Sequence, residues 1–221
     1  MKTTIIGIMA LALIIFDTVA PLFNVTLFND PYILLSPIMA ILSVHLFNSY
    51  KNKRKLLCHL FIAAIAMFIG NAFINAFVVS PVFQTHSNLF LTLLLTCQLL
   101  YLYEFFITEK YPTFKLIGWI LFPIFLYLGL RYTDHGSIII PLALLTYIFR
   151  DSLPLQFISW VALVLLLTFL STPSMLIILA FFPLTLLKDS ASETLNRSVR
   201  SVLPSLYPLI LWSISVSATY L

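Results

Sequence analysis

Run after run of about twenty apolar residues, each ended by a short polar stretch, most limits what this chain can fold into. The runs are 4–23, 31–49, 56–79, 88–108, 114–130, 137–149, 155–171, 174–187 and 203–221. Charged residues make up 9% of the chain, against about 25% in soluble domains. A water-soluble fold needs a charged exterior, and this composition cannot furnish one. Lipid is therefore the expected solvent. In lipid a backbone must satisfy its own hydrogen bonds, which leaves helices or a closed barrel. Barrel strands alternate polar and apolar residues, and these runs do not. The expected fold is all-α: a polytopic membrane helix bundle of about nine transmembrane helices, in one integral membrane domain over 1–221.

The runs 137–149 and 174–187 are short for a hydrocarbon slab of about 30 Å. Tilting, local thinning or a re-entrant path are all open for them. Pro141 and Pro183 lie inside these two runs, where a proline kinks or shortens a helix.

Basic residues set the orientation. With the N-terminus inside, Lys2, Lys51, Lys53, Arg54, Lys55, Lys110, Lys115, Arg150, Lys188, Arg197 and Arg200 all fall inside. Arg131 alone of the 12 basic residues falls outside. Such a bias marks the cytoplasmic face. Nine crossings then put the C-terminus outside. The net charge of +4 is met by this topology, and no nucleic-acid partner is expected. Asp17 interrupts the first apolar run and no clean small-residue cleavage site follows. That run is expected to be a retained span rather than a signal peptide. Short loops and the lack of a long polar stretch favour a bacterial cytoplasmic membrane.

Polar groups at membrane depth cost several kcal/mol unless paired, so each is a candidate for function. Asp17 lies about 20 Å along its run from the cytoplasmic end. Asn71 and Asn75 are four apart and share a helix face. His86, Asn88 and Thr92 open the run at 88 from the outside. Asp134, His135 and Gly136 open the run at 137. These groups are expected to meet in the outer third of the bilayer. Two uses are open: a polar cavity that binds substrate or relays protons, and interhelical hydrogen bonds that hold the bundle. Asp17, Asp134 and His135 are the candidate catalytic groups, and Asn71, Asn75, Asn88 and Thr92 the candidate substrate contacts. His45 and His59 read as satisfied core histidines. Cys58 and Cys97 read as small buried hydrophobes, with no metal-ligand spacing between them.

The loop from Tyr50 to Lys55 is a basic cluster. It is either a plain topogenic signal or a site for anionic lipid or an acidic cofactor such as an acyl-CoA. In the second case Lys51, Lys53 and Arg54 would hold the anion. No hydrolase elbow, P-loop, zincin pair or dinucleotide turn occurs. Five glycines in the whole chain leave little for a phosphate-cradling loop.

The order of these features resembles the TraX family, membrane proteins related to the acyltransferase-3 group and typified by the pilin N-acetylase. The first run with Asp17 is similar to the family's apolar run closing on Asp-His. Ser36-Pro37-Ile38-Met39-Ala40 resembles its Phe-Pro-Leu-Phe-Ala, and the basic loop at 51–55 follows as in the family. Asn88-Leu89-Phe90-Leu91-Thr92-Leu93 is similar to its Asn-Val-Leu-Phe-Thr-Leu. Asp134-His135-Gly136 resembles its Asp-Tyr-Gly, with Tyr147-Ile148-Phe149-Arg150 closing the next run. Leu206-Tyr207-Pro208-Leu209 is similar to its Tyr-Pro-Leu-His. The resemblance implies acyl transfer, such as acetyl, from a cytoplasmic acyl-CoA to a peptide or glycan. The family's two histidines and its arginine fall here on Thr18, Ile210 and Ile33. Those residues cannot serve as a base near neutrality or as a carboxylate fork. His135 would then replace the lost base, with Asp134 or Asp17 orienting it. A non-catalytic relative is the other reading: the scaffold binds a hydrophobic peptide or lipid, as an assembly, export or immunity partner of other membrane proteins.

Overall fold

Apolar runs with few glycines and few charges favour continuous helix, and helices are what form among the described residues. The computed structural model describes residues 32–78, 88–104, 112–133, 135–170 and 207–217. Among them every regular element is helical: α1 (Tyr32–Ser49), α2 (Lys53–Asn75), α3 (Leu89–Leu102), α4 (Pro112–Tyr132), α5 (Gly136–Ile148), α6 (Leu153–Leu170) and α7 (Tyr207–Ser217). These coincide with seven of the nine apolar runs. The runs 4–23 and 174–187 lie outside the described residues, and Asp17 with them.

Local chemistry explains several boundaries. Asn52 starts α2, its side-chain oxygen accepting from the Lys55 backbone N–H at 3.1 Å. Asn88 does the same for α3 through the Leu91 N–H at 3.1 Å. Pro141 stands inside α5, which nevertheless runs from Gly136 to Ile148. That helix is 13 residues, or about 20 Å at 1.5 Å per residue.

The helices sort into an inner and an outer set. α1, α3 and α5 pack on one another and supply most of the buried core: Met39, Phe47, Cys97, Leu99, Leu100, Ile140, Leu142 and Ala143 are nearly inaccessible. α2 packs on α3, α4 on α3 and α5, and α6 on α5. The outer helices turn large apolar side chains away from the bundle. Phe61, Ile65 and Phe68 of α2, Trp119, Ile120 and Tyr127 of α4, and Ile158, Leu166 and Phe169 of α6 are exposed. Among the described residues two helices, α2 and the stretch Lys115–Tyr132 within α4, are long and apolar enough to cross a bilayer.

Candidate functional site

The polar groups expected in the outer half are partly described. Asn71 is buried, and its side-chain oxygen accepts from the Trp212 indole N–H at 2.9 Å. This bond joins α2 to α7. Gly70, one residue earlier, lets the indole lie against the α2 backbone, because a Cβ there would overlap the Trp212 ring. Asn88 caps α3 with its oxygen and donates from its amide nitrogen to the Ala64 carbonyl at 2.9 Å. Thr92 is fully buried, and its carbonyl accepts from the Thr96 hydroxyl at 2.7 Å.

These positions do not share one depth. Ala64 lies midway along α2, so the N-terminus of α3 sits at that level rather than at the C-terminal end of α2. Asn71 is seven residues beyond Ala64, about 10 Å at 1.5 Å per residue, and Asn75 about 16 Å. Further along α2, α7 meets it at Gly70 and Asn71 through Trp212. Tyr207 meets Phe90 edge-on, with ring centroids 5.8 Å apart, and Trp212 reaches Asn71. Two short helices thus share the flank of one long one, with Asn88 near their junction.

His135 precedes α5 with a left-handed backbone, φ 53°, and its side chain does not cap the helix. A non-glycine residue is uncommon in that region, though histidine enters it more readily than most. The turn is tight: a Cβ on Gly136 would run into the Gly129 carbonyl oxygen and the Thr133 hydroxyl. Asp134 lies outside the described residues.

At the opposite end the helix termini meet. The last carbonyls of α1 lack intrahelical donors and carry the negative end of the helix dipole. The Lys53 ammonium donates to the Phe47 carbonyl there and lies 4.2 Å from the centre of the Phe47 ring. Phe47 packs edge-on against Tyr147 at 5.6 Å, and Tyr103 packs on Tyr147 at 6.1 Å. The Arg150 guanidinium covers the Tyr147 ring at 4.7 Å. Glu104 is near enough to act electrostatically on both Lys53 and Tyr147. Arg54 donates from Nε to the Tyr101 hydroxyl at 3.5 Å. Of the basic loop, Lys51, Arg54 and Lys55 remain exposed, whereas Lys53 is turned inward. The gathering of Lys53, Arg54 and Arg150 at one end follows from antiparallel packing, as the alternation of charges leads one to expect.

Other polar contacts lie where no motif pointed. Gln156 is buried on α6 and donates to the Thr146 carbonyl at 2.8 Å. The Trp160 indole N–H donates to the Thr146 hydroxyl at 2.9 Å, and that hydroxyl donates to the Leu142 carbonyl at 2.7 Å. A glutamine four residues before a tryptophan puts both on one helix face, the only hint the sequence held. Two expectations fail. His59 and Cys58 are exposed on the outward side of α2 instead of buried, since the core-facing stripe is Leu56, Leu60, Ala64 and Met67. Cys97 is buried as expected. Among the described residues no group of three or more His, Cys, Asp or Glu is placed to hold a metal.

No family model matches the chain, and neither does any curated protein or solved structure.

Proposed function

We propose that this chain is a multi-pass protein of the bacterial cytoplasmic membrane, nine spans with the N-terminus inside and the C-terminus outside. In this reading it keeps a TraX-like scaffold and binds a hydrophobic peptide or lipid without acyl chemistry. The membrane part rests on the outward faces of α2, α4 and α6. Exposing side chains such as Phe61, Phe68, Trp119 and Phe169 to water would forfeit about 1.5–3 kcal/mol each. Acyl chains cover them at no such cost.

The choice of a binding role rests on one observation. Three of the described polar groups that would serve an acyltransferase already hold the bundle together. Asn71 takes the Trp212 N–H, Asn88 ties α3 to Ala64, and Lys53 closes α1. A second reading, acyl transfer, is favoured by the left-handed backbone at His135, since non-glycine residues in that region cluster at working sites. There His135 acts as base, Asp134 or Asp17 orients it, and an acyl-CoA docks on the cytoplasmic basic loop.

Purified protein with labelled acetyl-CoA and candidate peptides or glycans separates the two. We expect neither transfer nor retention of acyl-CoA. Transfer that is abolished by His135→Ala or Asp17→Ala would install the second reading instead. The topology is checked by single cysteines in a background of Cys58→Ser and Cys97→Ser. Asn52→Cys should label only from the cytoplasmic side and Tyr132→Cys only from outside.

A further inference from the structure

The outward face of α2 ends in cations, and the sequence spacing makes the two features one surface. Arg54, Cys58, Phe61, Ile65 and Phe68 recur at four and three residues, so they line one side of the helix. All five are exposed, and the opposite side, Leu56, Leu60, Ala64, Met67 and Asn71, is the buried one. Lys55 and Lys51 flank Arg54 and are exposed as well. The Arg54–Tyr101 contact holds the guanidinium beside the helix start, where the dipole of a 23-residue helix adds positive potential. Lys53 is withdrawn from this group by its bond to the Phe47 carbonyl.

We infer that this corner is a seat for a resident anionic phospholipid of the cytoplasmic leaflet. Its phosphate lies against Arg54, Lys55 and Lys51, and one acyl chain runs along Cys58, Phe61 and Ile65. The dimensions agree. Arg54 to Ile65 is eleven residues, about 16 Å at 1.5 Å per residue, which is one leaflet of a slab about 30 Å thick. An acyl-CoA also joins phosphate to an acyl chain. A stripe open sideways along its whole length is the contact a bilayer makes, however, and bilayer lipid is always present there. The inference rests on the membrane reading above and narrows the use of the basic loop: Lys55 replaces Lys53 among the anion-holding groups, and the ligand is a lipid.

The test uses the full chain in phosphatidylcholine bilayers with and without phosphatidylglycerol. Wild-type protein should retain phosphatidylglycerol through repeated phosphatidylcholine exchange and melt at a higher temperature with it. Arg54→Gln combined with Lys55→Gln should weaken that binding about 30-fold, at ~1 kcal/mol for each cation near a membrane surface. Lys51→Gln combined with Lys55→Gln leaves the Arg54–Tyr101 contact in place and should give a similar loss, so the test survives if the first pair fails to fold. Lys115→Gln, on α4, should change nothing. Wild-type protein that inserts but shows no preference for phosphatidylglycerol overturns the lipid site and spares the membrane reading. Displacement of the lipid by inorganic phosphate or by acyl-CoA overturns the bilayer as its source. Failure to insert at all overturns both.

Discussion

α5 and α6 are neighbours joined by four residues, and neither contains a charge, yet they live in different surroundings. Ile139, Ile140, Leu142, Ala143, Leu144 and Tyr147 of α5 are buried among α1, α3 and α4. Among its described side chains, α6 buries only Gln156, Trp160 and Val164 and leaves Leu155, Phe157, Ile158, Leu165, Leu166 and Phe169 exposed. Apolarity therefore does not choose the packed face of α6. In lipid there is no hydrophobic gain in moving a leucine from acyl chains to a neighbouring helix. The buried stripe is the one that carries hydrogen-bonding handles, Gln156 and Trp160, and they meet Thr146 on α5. The same rule operates at α2, where Asn71 and Gly70 receive Trp212.

The strongest way to break this contrast is to charge the bare face. Ala162 is exposed at the centre of α6. Ala162→Lys should destabilise the protein by ~3 kcal/mol if that face meets the bilayer interior. In water the same change would stay within about 0.5 kcal/mol. Insertion yield and unfolding in mixed micelles read the difference, and a neutral result would return the chain to a soluble class.

A somewhat smaller effect is expected inside the packed set. Gly136→Ala puts a methyl against the Gly129 carbonyl oxygen, a backbone atom that cannot swing aside. Overpacking of this kind typically costs ~1–3 kcal/mol. The α4–α5 turn must open to accept it, so thermal melting should fall while the outer faces stay unchanged. An unaltered melting temperature would mean that the turn is looser than its geometry.

Much of the helical layout can be read from the amino acids. Seven apolar runs reappear as helices within a few residues, because length and missing charge define them without any partner. The basic loop at 51–55 marks a helix start for the same reason. What the runs conceal is direction. When nearly every position is apolar, no amphipathic period tells core from exterior, so His59 and Cys58 looked like core residues and are exposed. Depth along the bundle is hidden as well. Asn88 opens α3 at the level of Ala64, and that is a long-range contact. The gathering of Phe47, Tyr103, Tyr147, Lys53 and Arg150 comes from four separate stretches of chain, so no local spacing announces it. Of the candidate site residues, Asn71 and Thr92 could be recognised as polar groups within apolar runs, but their partners could not.

The smallest effect is also the sharpest test of polar handles as the reason α6 packs where it does. Thr146→Val keeps the shape of the side chain and removes the acceptor of the Trp160 indole N–H. A buried N–H left without a partner costs ~1–3 kcal/mol in water-excluded surroundings. The Gln156 bond is to the Thr146 carbonyl and persists, so a loss of ~1 kcal/mol is expected. Trp160→Phe alone should cost less through hydrogen bonding, because the Thr146 hydroxyl keeps its bond to the Leu142 carbonyl. Combining the two substitutions isolates the pair, with a coupling of ~0.6 kcal/mol expected from bonds between membrane helices. Zero coupling would mean that shape alone seats Trp160 against α5, and the contrast between the two helices would then need a packing explanation instead.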